Sequence, residues 1–261
     1  MAQQLVNRLK TTAKVKGMMD AYYEDIRQAP GRGRKVAWTT GPVPFEFFRV
    51  MDVAFQHGES YGAYAAARKG NLELKNAAEA EGFSADGCSY WRTVGGLALL
   101  NQRGGNVRSD MYLPKPDFVV GANPCQTMGL WADSIGRQCK VPTFVLDVPP
   151  PAEYTEDEFQ RNVRHVQQQF RELIVFLEQQ TGKKFDYDRL KEIVELVREG
   201  AILRRRSLDM CAVHPSPQTF FDCLISLGPS HALRGTPEAV QYYKDLVVEV
   251  EERVANGVGA I

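Results

Sequence analysis

Apolar residues recur along this chain with two different periods, and the change from one to the other divides it. Lys35 to Thr40 (KVAWTT) predicts a short strand ended by the turn Gly41-Pro42-Val43-Pro44. Phe45, Phe48, Val50, Met51 and Ala54 then follow at near-helical spacing. After a polar stretch rich in Ala and Gly, Asp86-Gly87-Cys88-Ser89 opens a predicted helix that runs to about Leu100. Asp117 to Gly121 (DFVVG) is the clearest buried strand; Ala122-Asn123-Pro124-Cys125 and a helix from about Met128 to Cys139 follow it. Pro142 to Asp147 predicts another strand, stopped by consecutive prolines at 149–151. Strands alternating with helices at this spacing predict an α/β fold with a Rossmann-like parallel sheet in the N-terminal part.

Beyond the prolines the period is helical throughout, so a mostly helical C-terminal part is expected. Thr155-Glu156-Asp157-Glu158 has the capping-box pattern, and Phe159, Val163, Val166, Phe170, Leu173 and Leu177 recur in steps of three and four. A second helix is predicted over about Asp188 to Arg204, with Leu190, Ile193, Val194, Val197 and Ala201 on one face. Thr236-Pro237-Glu238 starts a third, continued by Val240, Tyr243, Val247, Val250 and Val254. Ahead of the sheet, Leu5, Leu9, Val15, Met18 and Met19 predict a helical lead-in over residues 1–28, broken by Pro30-Gly31-Arg32-Gly33-Arg34. The expected organisation is a helical lead-in at 1–34, an α/β domain at 35–150 and a helical region at 151–261. The chain stops at Asn256 to Ile261, where a doubly wound architecture would place another strand. A fragment or shortened relative, lacking a second α/β domain, is the expectation.

Composition narrows the function class. Of 261 residues 44% are hydrophobic and 25% charged, which is ordinary globular composition. Basic and acidic residues balance at 32 each, so the basic excess of a nucleic-acid protein is missing, and low self-repulsion suits life in a complex. No stretch approaches the roughly 20 apolar residues of a bilayer span. Met1 to Asp20 has no apolar signal core. A cytoplasmic location is expected, and there the five cysteines stay reduced and unpaired.

Two of those cysteines stand where chemistry is done. Cys88 lies at a loop-to-helix junction, and Cys125 lies just past a hydrophobic strand. In open α/β sheets, ligands sit outside the carboxyl ends of the strands. Unpaired N–H groups at a helix N-terminus favour a thiolate, and iron–sulfur ligation needs soft anionic sulfur from positions that can be far apart in sequence. Taken singly, each cysteine also reads as a small buried hydrophobe, because the chain has no CxxC pair. Cys139, Cys211 and Cys223, set among apolar neighbours, fit that plainer reading.

Glu46 follows the first strand and is a candidate acid or base, a solvated helix-start carboxylate being the plainer reading. Ser89 and Tyr90 adjoin Cys88 and are candidate donors to sulfur or substrate, Ser89 also reading as a cap. His57, His165, His214 and His231 form no metal spacing, and His165 is expected to face solvent. Arg204-Arg205-Arg206 complements a helix end, with contact to a ligand phosphate or a partner subunit as the alternative. Gly95-Gly96 and Gly104-Gly105 make no GxGxxG fingerprint.

Three blocks in order carry a resemblance: Gly87-Cys88-Ser89-Tyr90-x-Arg92, a strand into Asn123-Pro124-Cys125, and Val141-Pro142-x-Phe144-x-Leu146-Asp147-x-Pro149. Together with Pro42 to Asp52 (PVPFEFFRVMD), they resemble the benzoyl-CoA reductase and 2-hydroxyacyl-CoA dehydratase family from about residue 35 onward. The resemblance implies a subunit that pairs with a homologous second subunit as a heterodimer. It further implies a 4Fe–4S cluster held by three cysteines, and electrons from a separate ATP-hydrolysing iron–sulfur activator protein. Cys88 and Cys125 would be two of the ligands, the third being unidentified because it comes from a later α/β region. The substrate implied is a CoA thioester, either reduced in an aromatic acyl group or dehydrated through a ketyl radical.

The look of the Asn123-Pro124-Cys125 and Asp147-Val148-Pro149 blocks leans the expectation toward the benzoyl-CoA reductase type, with 2-hydroxyacyl-CoA dehydratase as the alternative. A cluster-free structural partner subunit stays open, because a third cysteine is missing. So does a plain α/β enzyme with Cys125 as nucleophile, although no histidine is placed by sequence to serve as its base.

Overall fold

A computed structural model describes residues 7–104, 107–150 and 155–260; Leu5, Gly105, Pro151 and Ile261 of the sequence patterns lie outside them. The chain divides into two compact units, Tyr23–Asp186 and the combination of Met1–Tyr22 with Tyr187–Ile261. Helix α1 (Lys10–Gln28) runs through the division.

Tyr23–Asp186 is the α/β unit. Its elements are β1 (Val36–Thr40), α2 (Phe45–Val50), β2 (Ala54–His57), α3 (Gly58–Ala67), α4 (Asn71–Ala80), α5 (Ser89–Gln102), β3 (Phe118–Ala122), α6 (Gln126–Cys139), β4 (Thr143–Leu146) and α7 (Glu156–Thr181). The four strands are all parallel in the order β2-β1-β3-β4. The α/β class read from the sequence holds, with helices α2 and α7 on one face. Phe55 stacks on Phe45 there, and Phe118 and Phe144 both meet Phe176 at 5.6 Å. The opposite face carries α3, α5 and α6, the last so close that a Cβ on Gly121 would lie 2.4 Å from that of Ala132. Because β1 neighbours β2 on one side and β3 on the other, the chain reverses its winding between β1 and β3. Crevices for ligands open at the carboxyl ends of such a pair.

Two stretches differ from the sequence expectation. The near-helical run Phe45 to Ala54 is two elements, because α2 ends after Val50 and Asp52 adopts φ +52° to turn the chain into β2. A short buried apolar run carries no periodicity that separates strand from helix. The Ala- and Gly-rich stretch holds α3 and α4. Gly58, Tyr61, Gly62 and Ala65 are buried on one face of α3, but its exposed positions Ala63, Ala66 and Ala67 are no more polar, so no contrast marks the helix in the sequence. The long helix after the prolines starts as expected, with Thr155 Oγ1 accepting from the Glu158 N–H at 3.3 Å.

The other unit is helical: α8 (Tyr187–Asp209), α9 (Phe220–Ile225), α10 (Leu227–Ala232) and α11 (Pro237–Ala255), with the first part of α1. Glu249 of α11 accepts from the Lys10 and Thr11 N–H groups at 2.6 and 2.7 Å, so an acidic side chain serves the electropositive start of α1. Among the described residues no helix is long and apolar enough to cross a membrane.

Candidate functional site at the carboxyl end of the sheet

The turn after β1 is fixed by glycine. Gly41 has φ +77°, and a Cβ there would meet Met128 Sδ at 3.2 Å and Ala122 at 3.4 Å. Its N–H donates to Glu59 Oε1 at 2.9 Å. Glu59 Oε2 lies 3.0 Å from His57 Nε2, and His57 Nδ1 contacts Ser60 Oγ at 2.8 Å. Burial pushes the Glu59 carboxyl up, yet the His57 ring and the Gly41 N–H outweigh it and hold the group below its ordinary value. This cluster ties the ends of β1 and β2 together.

A second polar cluster joins the ends of β3 and β4. Asn123 Nδ2 donates to Asp147 Oδ1 at 2.8 Å, and Asn123 Oδ1 accepts the Val148 N–H at 2.7 Å. Gln169 of α7 exchanges two 2.7 Å hydrogen bonds with the Asp147 backbone. His165 Nε2 sits 3.1 Å from Asp147 Oδ2, and the Asn123 and His165 contacts hold the Asp147 carboxyl low.

Between these clusters stands Cys125. It is the exposed N-cap of α6, and its side chain makes no capping hydrogen bond. Cys88 occupies the equivalent position on α5, also exposed and also without a capping bond. Trp91 Nε1 donates to Ser134 Oγ at 3.0 Å, and near the other helix ends the Gln102 amide donates to the Gln138 carbonyl. The two helices therefore run side by side in one direction, and both N-termini face the carboxyl end of the sheet. Neither helix has an acidic residue in its first turn to compete for the local positive potential.

The remaining sequence candidates sort themselves by position. Glu46 stands in the first turn of α2 and is only 8% exposed, so the solvated-carboxylate reading is corrected: Phe45, Phe47 and Phe48 bury that turn. Ser89 is exposed, and its carbonyl accepts from Thr93 Oγ1. The Tyr90 ring covers Gly62 of α3. Cys139 is 2% exposed, with burial pushing its thiol up to about 11, as suits a core residue. His165 is exposed, as expected, but is engaged with Asp147. Arg205 pairs with Asp209 one turn on, and Arg206 pairs with Glu251 of α11. The Asn123–Asp147–His165 and Gly41–Glu59–His57 clusters were missed as sites. The signal available was a polar residue at the carboxyl end of each neighbouring strand.

As a metal site, the donor set is sound in kind and short in number. Two soft sulfurs at helix N-termini suit iron. Among the described residues no group of three His, Cys, Asp or Glu is arranged to hold a metal ion.

Comparison with known proteins places this geometry. The sequence model of 2-hydroxyglutaryl-CoA dehydratase, D-component, matches residues 41–260. The chain is 32% identical over 246 residues to the (R)-2-hydroxyisocaproyl-CoA dehydratase alpha subunit of Clostridioides difficile, covering 93% of this chain and 58% of that protein. It is 32% identical to the (R)-phenyllactyl-CoA dehydratase alpha subunit of Clostridium sporogenes, covering 88% of this chain and 55% of that one. It is 29% identical to a benzoyl-CoA reductase subunit of Thauera aromatica, covering 95% and 57%. The chain thus spans little more than half the length of these curated relatives.

Proposed function

The chain belongs to the 2-hydroxyglutaryl-CoA dehydratase D-component family, and on that premise we propose that it serves a 2-hydroxyacyl-CoA dehydratase as an alpha-type subunit. The two dehydratase relatives at 32% match at higher identity than the reductase subunit at 29%, which reverses the lean toward a benzoyl-CoA reductase taken from the sequence blocks. The observation that carries the reading is the pair of exposed, uncapped cysteines, Cys88 and Cys125, at two helix N-termini on one end of the sheet.

In this reading Cys88 and Cys125 supply two thiolates to a 4Fe–4S cluster whose remaining ligands lie outside the described residues. When bound, the cluster supplies a low-potential electron and an open iron position, the electron coming from an ATP-hydrolysing activator. The chain's own residues do the positioning. The glycine-fixed turn at Gly41 and the Asn123–Asp147 pair hold the strand ends rigid around Cys125, and Glu46 is the buried carboxyl nearest in sequence to that turn. A homologous second subunit completes the enzyme, in keeping with relatives that are themselves named as single subunits of larger enzymes.

Turnover tests the reading. The chain, co-expressed with its neighbouring subunit and supplied with activator and ATP under anaerobic conditions, is offered a 2-hydroxyacyl-CoA and benzoyl-CoA. Formation of the 2-enoyl-CoA, lost in Cys125→Ser, is expected. Ring reduction of benzoyl-CoA without dehydration would transfer the chain to the reductase branch. Full assembly with no iron and no turnover would leave the cluster-free partner role.

A further inference from the structure

The helical unit holds a second pair of cysteines that the dehydratase reading does not use. Cys211 lies in the one-turn 3-10 helix Met210–Ala212 that follows α8, and Cys223 lies in α9. Their sulfurs are 3.7 Å apart, and both residues are partly exposed. We infer that Cys211 and Cys223 are a redox-active dithiol, which closes to a disulfide by exchange with a small-molecule disulfide of the glutathione class. The inference stands or falls independently of the proposed function.

The pair is held in place from both sides. The buried Gln218 donates through Nε2 to the Ser207 carbonyl at 2.6 Å, which pins the connecting segment to α8. Arg253 Nη1 donates to the Pro217 carbonyl at 3.0 Å, and the Ala260 N–H donates to the Ser216 carbonyl at 2.9 Å. On the Cys223 side, Asp222 and Thr219 form a full capping box at the start of α9. Asp222 is itself buried and accepts from Thr12 Oγ1 at 3.3 Å. Two sulfurs so fixed present each other at high effective concentration. Reaching bonding distance needs an approach of about 1.7 Å, since a disulfide bond is about 2.05 Å long. Two thiols without a third donor make a poor metal site, and among the described residues no third donor joins them.

The exchange has an order. Burial first, and then the Cys211 thiol beside it, push the Cys223 thiol up to about 12, so Cys211 makes the first attack. The Cys211 thiolate displaces one thiolate from the small-molecule disulfide and forms a mixed disulfide. That step removes one of the influences that keep Cys223 protonated. The Cys223 thiolate then attacks the Cys211 sulfur and expels the second thiolate. One small-molecule disulfide and two protein thiols give one protein disulfide and two small-molecule thiols, which take up the two protons. The product ties the end of α8 to α9, where Phe220 and Phe221 stand 73% and 65% exposed.

Both cysteines fall in one tryptic peptide, 207–234, so the state of the pair is read from a single mass. The full chain is equilibrated with reduced and oxidised glutathione in a graded series, quenched with acid, alkylated with N-ethylmaleimide and digested. The expected result is a passage from two alkyl adducts to none, with the peptide two hydrogens lighter and free of glutathione. Cys223→Ser is expected to trap glutathione on Cys211, and Cys211→Ser to leave Cys223 free for alkylation. A wild-type peptide that keeps both adducts, or that keeps glutathione, overturns the dithiol. Glutathione trapped on Cys223 in Cys211→Ser but not on Cys211 in Cys223→Ser overturns the order of attack.

Discussion

Helices approach one another differently in the two units. In the α/β unit α5 lies so close to α4 that a Cβ on Gly96 would stand 1.7 Å from the Leu74 carbonyl oxygen, and α6 lies on β3 across Gly121. In the helical unit a Cβ on Gly17 would meet nothing within 4 Å, and one on Gly200 would make ordinary contact with Tyr243 at 3.7 Å. Backbone against backbone sets the spacing of α5 on α4 in the first. Side chains such as Tyr243, Leu246 and Val250, all buried on α11, set helix spacing in the second. The thiols differ between the units as well. Side-chain hydrogen bonds lay α5 beside α6 with Cys88 and Cys125 uncapped and open at their N-termini, whereas the segment joining α8 to α9 brings Cys211 and Cys223 against each other. A cysteine's chemistry here is set by what holds the element that carries it.

The contrast can be broken at its tightest point first. Gly96→Ala forces α5 off α4 and is expected to destabilise the protein by about 3 kcal/mol, at the upper end of overpacking effects, as read by denaturant unfolding. A loss under about 0.5 kcal/mol would mean that the helices are not in backbone contact.

The next effect is on pH. Because the folded Glu59 carboxyl titrates below its ordinary value, the unfolded chain takes up that proton first on acidification. Its stabilisation is therefore complete above about pH 5 and is lost as pH falls through the folded value. Glu59→Gln is expected to lower stability at pH 7 by about 1–2 kcal/mol and to flatten the acid limb below about pH 5. A variant with an unchanged acid limb would show that Glu59 does not link the ends of β1 and β2.

The smallest effect has the opposite sign. Gly17→Ala sits in open space on α1 and is expected to stabilise by about 0.5–1 kcal/mol, visible as a small rise in Tm. Destabilisation would show that α1 is crowded at that turn.

Much of this was legible in the sequence because local signals and burial agreed. β1, β3 and β4 fall on the runs KVAWTT, DFVVG and PTFVLD, and the Thr155 and Thr236 caps form as their patterns predict. What was lost was lost for physical reasons. β2 is four buried residues and too short to show a period, and the exposed face of α3 is alanine (Ala63, Ala66, Ala67), so it lacks polar contrast. The positions of Cys88 and Cys125 at loop-to-helix junctions could be read, since N-capping is local. Their shared sheet end could not, because it depends on the contacts of α5 with α6. The same holds for Asp147 with His165, and for Cys211 with Cys223: neither pair has a periodic signature, and both come together only through packing.

Iron and acid-labile sulfide are the most direct measure of the central claim. They are determined on anaerobically purified protein co-expressed with its neighbouring subunit, with Cys88→Ser and Cys125→Ser alongside and folding checked by Tm. Iron and sulfide in the wild type, lost from both folded variants, is the predicted result. Equal iron and sulfide in the wild type and both variants, or none in the wild-type complex, would contradict it.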